Sequence, residues 1–387
     1  DLDRRLTEMD REGITAEIFL QGHQCATSPF FSFQNKPYPH DVRMAGAKAF
    51  NRWQLDMLNA SGGRLIGVAE HTTVPDLEVI LNEVRWAGEN GFRATVMPGA
   101  IADRAVPRLP FHHPYWEPFW ALCAEYQLAI VLHVGLGPEQ GVVFDRFMER
   151  AKTMTGDYSR EDRDADMMKL VAQQQQQGKP KEDDLFALNY SPREVLWQMM
   201  VGGVFDRYPN LHYVPTEARA DWVPDTLAMM DARFERGGTP LKKRPSEYWA
   251  SNCFGGASFL HKYEVEHRHE IGVDTLMFGR DYPHPEGTWP NTLDWLRAAL
   301  AGVPEHEVRA ILGGNAIRCY GLDAAALAPL ARRVGPTLAS LSDGSAVDPM
   351  VVREFDKRGG FLKDAPPLVE SALADILDAA LQPVAGQ

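Results

Sequence analysis

Three short apolar runs in this chain each end on a side chain that apolar surroundings reject. Leu128-Ala129-Ile130-Val131-Leu132 runs into His133, and Leu211-His212-Tyr213-Val214-Pro215-Thr216 delivers Glu217. Thr275-Leu276-Met277-Phe278 leads through Gly279-Arg280 to Asp281. A carboxylate at the end of a buried strand costs several kcal/mol unless it is paired or bound to a metal. Separate strands that each close on a ligand-grade group describe an active site at the carboxyl ends of barrel strands.

The rest of the chain repeats this unit. Apolar runs at 16–20, 65–70, 92–97, 128–133, 211–217 and 275–281, with a weaker one at 251–255, read as seven strands. Helical segments are expected at 1–12, 41–60, 75–89, 114–126, 192–207, 222–235, 259–271 and 290–300. Strands that are apolar throughout, rather than alternating, suit a parallel sheet covered by helices. Regular βα alternation predicts an α/β fold of the (β/α)8 TIM-barrel type. A closed barrel needs eight strands and this chain opens on a helix, so its first strand is expected upstream of the sequence. A seven-stranded or open sheet is the alternative. Residues 145–190 form a charged insertion with Gln173 to Gln177 at its centre. It follows His133 and so emerges on the functional face, as a lid, an oligomer arm or a solvated loop. The barrel is expected to occupy 1–322. Residues 323–387 read as a helical tail that packs on the barrel exterior or on a neighbouring subunit.

Charge narrows the function classes. With 40 basic and 53 acidic residues the formal net charge is −13, and no basic run appears. Nucleic acid and anionic membrane are therefore disfavoured as partners. The apolar stretches are of strand length, short of the roughly 20 residues a membrane span needs. Cys25, Cys123, Cys253 and Cys319 show no CxxC or zinc-finger spacing and fit buried thiols in a reducing cytosol. No secretory leader is visible, which points to a cytoplasmic protein. P-loop, dinucleotide and Gly-x-Ser-x-Gly signatures are missing, which disfavours NTPases, dehydrogenases and serine hydrolases.

His133, Glu217 and Asp281 make the sharpest candidate set. Imidazole and carboxylate oxygens suit zinc, manganese or iron(II), and ligands from separate strand ends converge on one ion. The plainer readings are a core histidine for His133, a helix cap for Asp281 and a buried ion pair of Glu217 with Arg219. His284 stands three residues past Asp281 in a Pro-braced turn and suits a supporting donor. His23, His71, His112 and His113 follow strands or precede helices on the same side and are candidates for the pocket mouth. His267-Arg268-His269 spells HxH, but on a helix two residues apart point about 200° away from each other, so both cannot reach one ion.

Several motifs carry a resemblance. Leu132-His133-Val134-Gly135, the run from Gly202 to Pro209, Glu217-Ala218-Arg219-Ala220-Asp221-Trp222-Val223-Pro224, the Asp281 segment and the run from Gly314 to Leu322 resemble the amidohydrolase-related family. The likeness is to its aminocarboxymuconate-semialdehyde decarboxylase-like and resorcylate decarboxylase-like branch, and covers most of 1–322. It implies a (β/α)8 barrel with one divalent metal, held by a strand-five His and a strand-eight Asp, roles that fall on His133 and Asp281. Three departures stand out. The family's first-strand HxH or ExH pair has no counterpart here, Glu217 occupies a position often His in the decarboxylases, and Arg280 replaces a frequent Ser before the Asp. Strand alternation turns Arg280 away from Asp281, toward the helix layer, in a structural role.

The resemblance implies a metal-dependent decarboxylase acting on a small carboxylated or aromatic molecule, with one divalent ion, zinc first and manganese or iron next. Asp281, Glu217 and His284 are the expected catalytic residues, and His133, Asp281 and Glu217 the expected metal ligands. As a decarboxylase, Asp281 protonates the carbon that loses carbon dioxide. As a hydrolase, the alternative, Asp281 takes a proton from metal-bound water. The third possibility is a non-catalytic barrel that serves as a binding or scaffold protein. A homo-oligomer is compatible with the tail.

Overall fold

In the computed structural model, residues 1–20, 39–71, 76–98, 109–133, 184–364 and 370–382 are described; His23, Cys25 and residues 145–183 of the charged insertion lie outside them. Among the described residues seven strands follow in chain order: β1 (Glu17–Phe19), β2 (Leu65–Ala69), β3 (Ala94–Val96), β4 (Ala129–His133), β5 (Tyr213–Thr216), β6 (Gly255–Ser258) and β7 (Leu276–Phe278). Strands β1 to β5 form one sheet in sequential order and β6 pairs with β7, every ladder being parallel. A parallel bridge between Tyr213 and Cys253 links the two sheets, and the Phe254 N–H donates to the Tyr213 carbonyl at 3.0 Å.

Alternation along the strands divides the core in two. Val68, Ala94, Ala129, Val131, Val214 and Met277 pack together with Ile18 and Val96 on the inner face. Ala69, Ile130, Leu132, Tyr213 and Leu276 belong to the larger core under the helices. Both faces are covered, so the runs are apolar at consecutive positions and the sheet curls around its inner row. This is the architecture of a TIM-type fold. Its amino end is plugged by the helix Asn315–Tyr320, whose Cys319 and Tyr320 join the inner cluster. The His212 Nδ1 meets the Cys319 carbonyl at 2.7 Å, and Asn315 Nδ2 donates to the carbonyls of Val273 and Leu276, each at 2.7 Å. The opposite, carboxyl end carries the polar side chains.

The helix layer continues beyond residue 322. Phe355 and Phe361 pack tilted and edge-on against Trp295 with centroids 4.8 and 5.0 Å away, and Trp197 Nε1 donates to the Leu377 carbonyl at 3.1 Å. The final helix, Glu370–Ala380, fully buries Leu373, Ile376 and Leu377. Among the described residues no helix is long and apolar enough to cross a membrane.

Three elements differ from the sequence expectation. The segment expected as strand 251–255 ends the helix Pro245–Asn252, and the strand forms at Gly255–Ser258 instead. A Cβ on Gly255 would lie 2.8 Å from the Trp249 ring, so glycine is there for close approach rather than for a turn. The helix expected at 192–207 begins at Asp184 and ends at Val201, and left-handed Gly203 (φ 65°) separates it from the short helix Val204–Arg207. The helix expected at 259–271 is interrupted at His267, between Lys262–Glu266 and Arg268–Ile271. His267 and His269 lie on its surface beside Glu270 and Glu307, at 3.8 and 3.6 Å.

Between β7 and β1 no ladder forms among the described residues. Side chains span this seam. Arg280 is ion-paired with Glu17 of β1, and Arg5 of the helix Leu2–Arg11 holds the same carboxylate at 2.8 Å. Arg280 therefore turns away from Asp281 as strand alternation requires, but its partner is on β1 rather than in a helix. The Thr292 N–H donates to Glu12 at 2.9 Å, tying the first helix to the helix Thr292–Leu300.

Candidate metal centre

Each polar group at the carboxyl end is positioned by the strand that precedes it. His133 is the last residue of β4 and shares the inward row of Ala129 and Val131. Its register partner is Thr216, the last residue of β5, which places Glu217 one residue past the end of that strand. His133 Nε2 lies 2.5 Å from Glu217 Oε2, so the two side chains are in direct ion-pair contact. Glu217 is thus joined to His133, while Arg219 pairs with Asp221 at 2.6 Å and donates to the Lys363 carbonyl at 2.9 Å.

Asp281 and His284 come from the turn after β7. The His284 N–H donates to the Asp281 carbonyl at 2.8 Å, and the Gly287 N–H closes on the His284 carbonyl at 3.0 Å. A Cβ on Gly287 would stand 2.6 Å from the carbonyl oxygens of both Arg280 and Asp281, so only glycine allows this turn to fold so tightly. The fold places His284 Nδ1 3.0 Å from Asp281 Oδ2.

Glu217, Asp281 and His284 each offer a ligand atom, and these atoms lie within 4.8 Å of one another. Ligand atoms around a tetrahedral ion with bonds near 2.1 Å are about 3.4 Å apart, so small side-chain movements close the group on a cation. His133 joins it through Glu217. The electrostatics agree with such a fit. Burial pushes the Asp281 carboxyl up to about 8, and the neighbouring Glu217 pushes in the same direction against the pull of His133. The Asp281 Oδ2 is buried, and His284 Nδ1 beside it gives no well-directed hydrogen bond. Two carboxylates at this spacing repel by on the order of 3 kcal/mol at an effective dielectric of 20, an energy that a divalent cation reverses. The donor set of imidazole and carboxylate suits zinc, manganese or iron(II).

The other histidines lie in different settings. His71 is buried, with Nε2 3.0 Å from the Val96 carbonyl, and burial pushes its pKa down to about 4. His113 caps the turn Pro114–Trp116 by accepting from the Tyr115 N–H at 3.0 Å. His112 packs against Gly202.

A further carboxyl, Glu70, was not among the residues singled out from the sequence. It follows β2 as Glu217 follows β5, and the run Leu65-Ile66-Gly67-Val68-Ala69 before it carries the same signal of an apolar strand ending on an acid. Burial pushes Glu70 up to about 8, while hydrogen bonding from the His71 N–H and the proximity of His133 pull the other way.

A curled parallel sheet with helices outside, carrying imidazole and carboxylate groups at its carboxyl ends, defines a TIM-type barrel with a candidate divalent-metal centre. The chain belongs to the amidohydrolase family, whose profile matches residues 32–322. No curated protein matches it by sequence. Solved structures share its fold. The 2,6-dihydroxybenzoate decarboxylase from Rhizobium is 19% identical at a TM-score of 0.59, over 83% of this chain and 88% of that one. A dihydroxybenzoic acid decarboxylase from Polaromonas, with bound manganese and the inhibitor 2-nitroresorcinol, is 20% identical at 0.59, over 84% and 87%. The 5-carboxyvanillate decarboxylase from Sphingomonas paucimobilis is 20% identical at 0.57, over 83% of each chain.

Proposed function

We propose that this chain is a metal-dependent carboxy-lyase acting on a small aromatic carboxylic acid. The observation that carries the reading is the convergence of Glu217, Asp281 and His284 at the carboxyl end of the sheet, with His133 paired with Glu217. The fold neighbours give the reaction class its support, since those enzymes decarboxylate hydroxylated or methoxylated benzoates.

In this reading His133, Asp281 and Glu217 hold one divalent ion, zinc or manganese, and His284 orients Asp281. The metal, when bound, neutralises the carboxylates and anchors the oxygen substituents of the substrate. Asp281 delivers a proton to the ring carbon as the bond from that carbon to the carboxylate breaks and carbon dioxide departs. His284 Nδ1, 3.0 Å from Asp281 Oδ2, needs only a small turn of either side chain to bond the carboxyl and hold it for that transfer. The family barrel has eight strands, and we read the ladder-free seam between β7 and β1 as the place of the remaining one. The catalytic unit is taken as 1–322 and the residues after it as a helical extension.

One observation favours a hydrolase instead. Glu70, Glu217 and Asp281 bring three carboxyls to one end of the sheet, and any that ionise repel a substrate carboxylate. The two readings separate in one experiment. The protein is loaded with manganese or zinc, its metal content is measured, and 2,6-dihydroxybenzoate and 5-carboxyvanillate are supplied. Release of carbon dioxide that stops on chelation is expected. A stoichiometric metal without decarboxylation, but with turnover of an ester or amide, makes the protein a hydrolase. Failure to retain any metal leaves a non-catalytic barrel.

A further inference from the structure

Glu70 lies deeper in the barrel than the four residues at the mouth. The ladders pair Val68 with Ala94, Ala94 with Ala129, and Val96 with Val131. Two residues on from Val68, Glu70 falls level with Val96 and Val131, one inward-facing layer below His133 and Thr216. Val68 packs in the inner cluster and Ala69 in the outer core, so alternation aims the Glu70 side chain inward. The backbone at this point is held on both sides. The Glu70 N–H donates to Asn51 Oδ1 at 2.8 Å, and Asn51 Nδ2 donates back to the Glu70 carbonyl at 2.7 Å. Asn51 is itself fully buried and braced by Glu83 at 2.8 Å. A pair of bonds of this kind fixes where β2 ends and gives the following carboxyl a single starting position. Such placement, supported from behind by residues with no access to the pocket, is what a ligand-contacting group needs.

We propose that Glu70 is a specificity-determining residue of the same site: its carboxyl forms the inner wall of the substrate pocket beneath His133 and donates a hydrogen bond to a carboxylate or phenolic oxygen of the bound aromatic acid. The inference rests on the carboxy-lyase reading for its substrate class. The Glu70 side chain faces inward behind the backbone brace of Asn51, and burial there favours its neutral form, which donates rather than repels. A neutral carboxyl offers one O–H, and an anionic acceptor makes that bond a strong one. An aromatic acid with an oxygen substituent pointing inward pairs with this wall, whereas an analogue lacking that substituent leaves the Glu70 proton unsatisfied. The site thereby selects for oxygenated aromatic acids.

The test compares Glu70→Gln and Glu70→Ala with the parent protein, measuring metal content, equilibrium binding of 2,6-dihydroxybenzoate and of unsubstituted benzoate, and decarboxylation. All three proteins are expected to hold the same metal. Glu70→Ala should bind 2,6-dihydroxybenzoate roughly tenfold more weakly, with KM rising more than kcat falls, while Glu70→Gln, whose amide still donates, stays within a few-fold. Benzoate should bind all three about equally. Equal binding of 2,6-dihydroxybenzoate by the parent and Glu70→Ala overturns the role of Glu70. So does a Gln variant as weak as the Ala variant, or loss of metal in either. Binding without turnover sinks the carboxy-lyase reading alone, because Glu70 is still judged on binding. Absence of binding by the parent sinks both.

Discussion

Glu217 and Asp281 share a backbone conformation that acidic residues seldom take: both are left-handed, with φ of 55° and 52°, and both stand just past the end of a strand. Non-glycine residues in this region carry strain of about 1–3 kcal/mol, and such strain collects at functional sites. Here it turns two carboxyls that leave different strands toward one point. Strain and charge repulsion add together in the metal-free chain, so this cluster is built against stability.

Asp281→Asn tests the penalty on this carboxyl, which comes first from burial and then from Glu217. Asparagine tolerates left-handed backbone and keeps the shape while removing the charge. The folded-state pKa of Asp281 is raised to about 8, so its destabilising effect is absent below the ordinary carboxyl range and grows as pH rises toward 8. The variant, measured with a chelator present, should therefore unfold at higher temperature than the parent at pH 7, by the equivalent of about 1–3 kcal/mol. The gap should narrow toward pH 4. Metal affinity should fall at least tenfold. A variant no more stable than the parent at pH 7 would show that the Asp281 charge carries no penalty from its burial and from Glu217.

His71 should give the molecule an acid-sensitive component of the opposite sign. Its pKa is lowered to about 4 by burial, so its contribution is complete above the ordinary histidine range and is lost as pH falls through 4. The shift corresponds to about 3 kcal/mol. His71→Phe keeps a ring edge-on to Phe119, now 5.8 Å away, and removes the titrating group. Urea unfolding between pH 7 and pH 4.5 should show a shallower loss of stability in the variant. Parallel curves for both proteins would contradict the assignment of a buried neutral imidazole.

The helices after residue 322 should prove integral to the barrel. Leu377 is fully buried, and its carbonyl takes the Trp197 indole N–H. Leu377→Ala should cost about 3 kcal/mol, and truncation after Leu322 should give a chain without a cooperative transition, since Trp295 would lose Phe355 and Phe361. A truncated chain with native-like melting would make the extension dispensable.

The strand ends were legible because a parallel strand buried on both faces writes itself as a continuous apolar run, and a polar residue closing such a run stands out. His133, Glu217 and Asp281 were visible for that reason. Glu70 carries the same mark, closing the run from Leu65 to Ala69, but two polar residues in a row, Glu70 and His71, read equally well as the start of a loop. Strand β6 is Gly255-Gly256-Ala257-Ser258 and has almost no side chain to signal with; its place is set by Trp249 pressing on Gly255. Nothing in the residue types announced left-handed backbone at Glu217 and Asp281, since glycine or asparagine is its ordinary sign. The approach of His284 to Asp281 depended on Gly287 meeting two carbonyls, a contact between residues that pattern alone does not relate.

The seam between β7 and β1 makes the last prediction, and an asymmetric one. Glu17 and Arg280 are both largely buried, with side-chain exposures of 8% and 4%. Glu17 has a second cation, Arg5, at 2.8 Å, whereas two guanidinium nitrogens of Arg280 find no well-directed acceptor and its guanidinium rests over the Tyr282 ring at 4.4 Å. Removing one partner of a buried pair costs about 3–5 kcal/mol because the other charge is left uncompensated. Arg280→Met leaves Glu17 paired with Arg5, while Glu17→Gln strands Arg280. Glu17→Gln should therefore be the more destabilising change by about 1–2 kcal/mol, although it keeps the side chain's shape and removes only its charge. Metal content should be unchanged in both, since Arg280 points away from Asp281. Chemical denaturation of the two variants and the double variant reads the coupling directly. Equal losses would mean that Arg5 does not compensate Glu17, and loss of metal from Arg280→Met would mean that Arg280 supports the site.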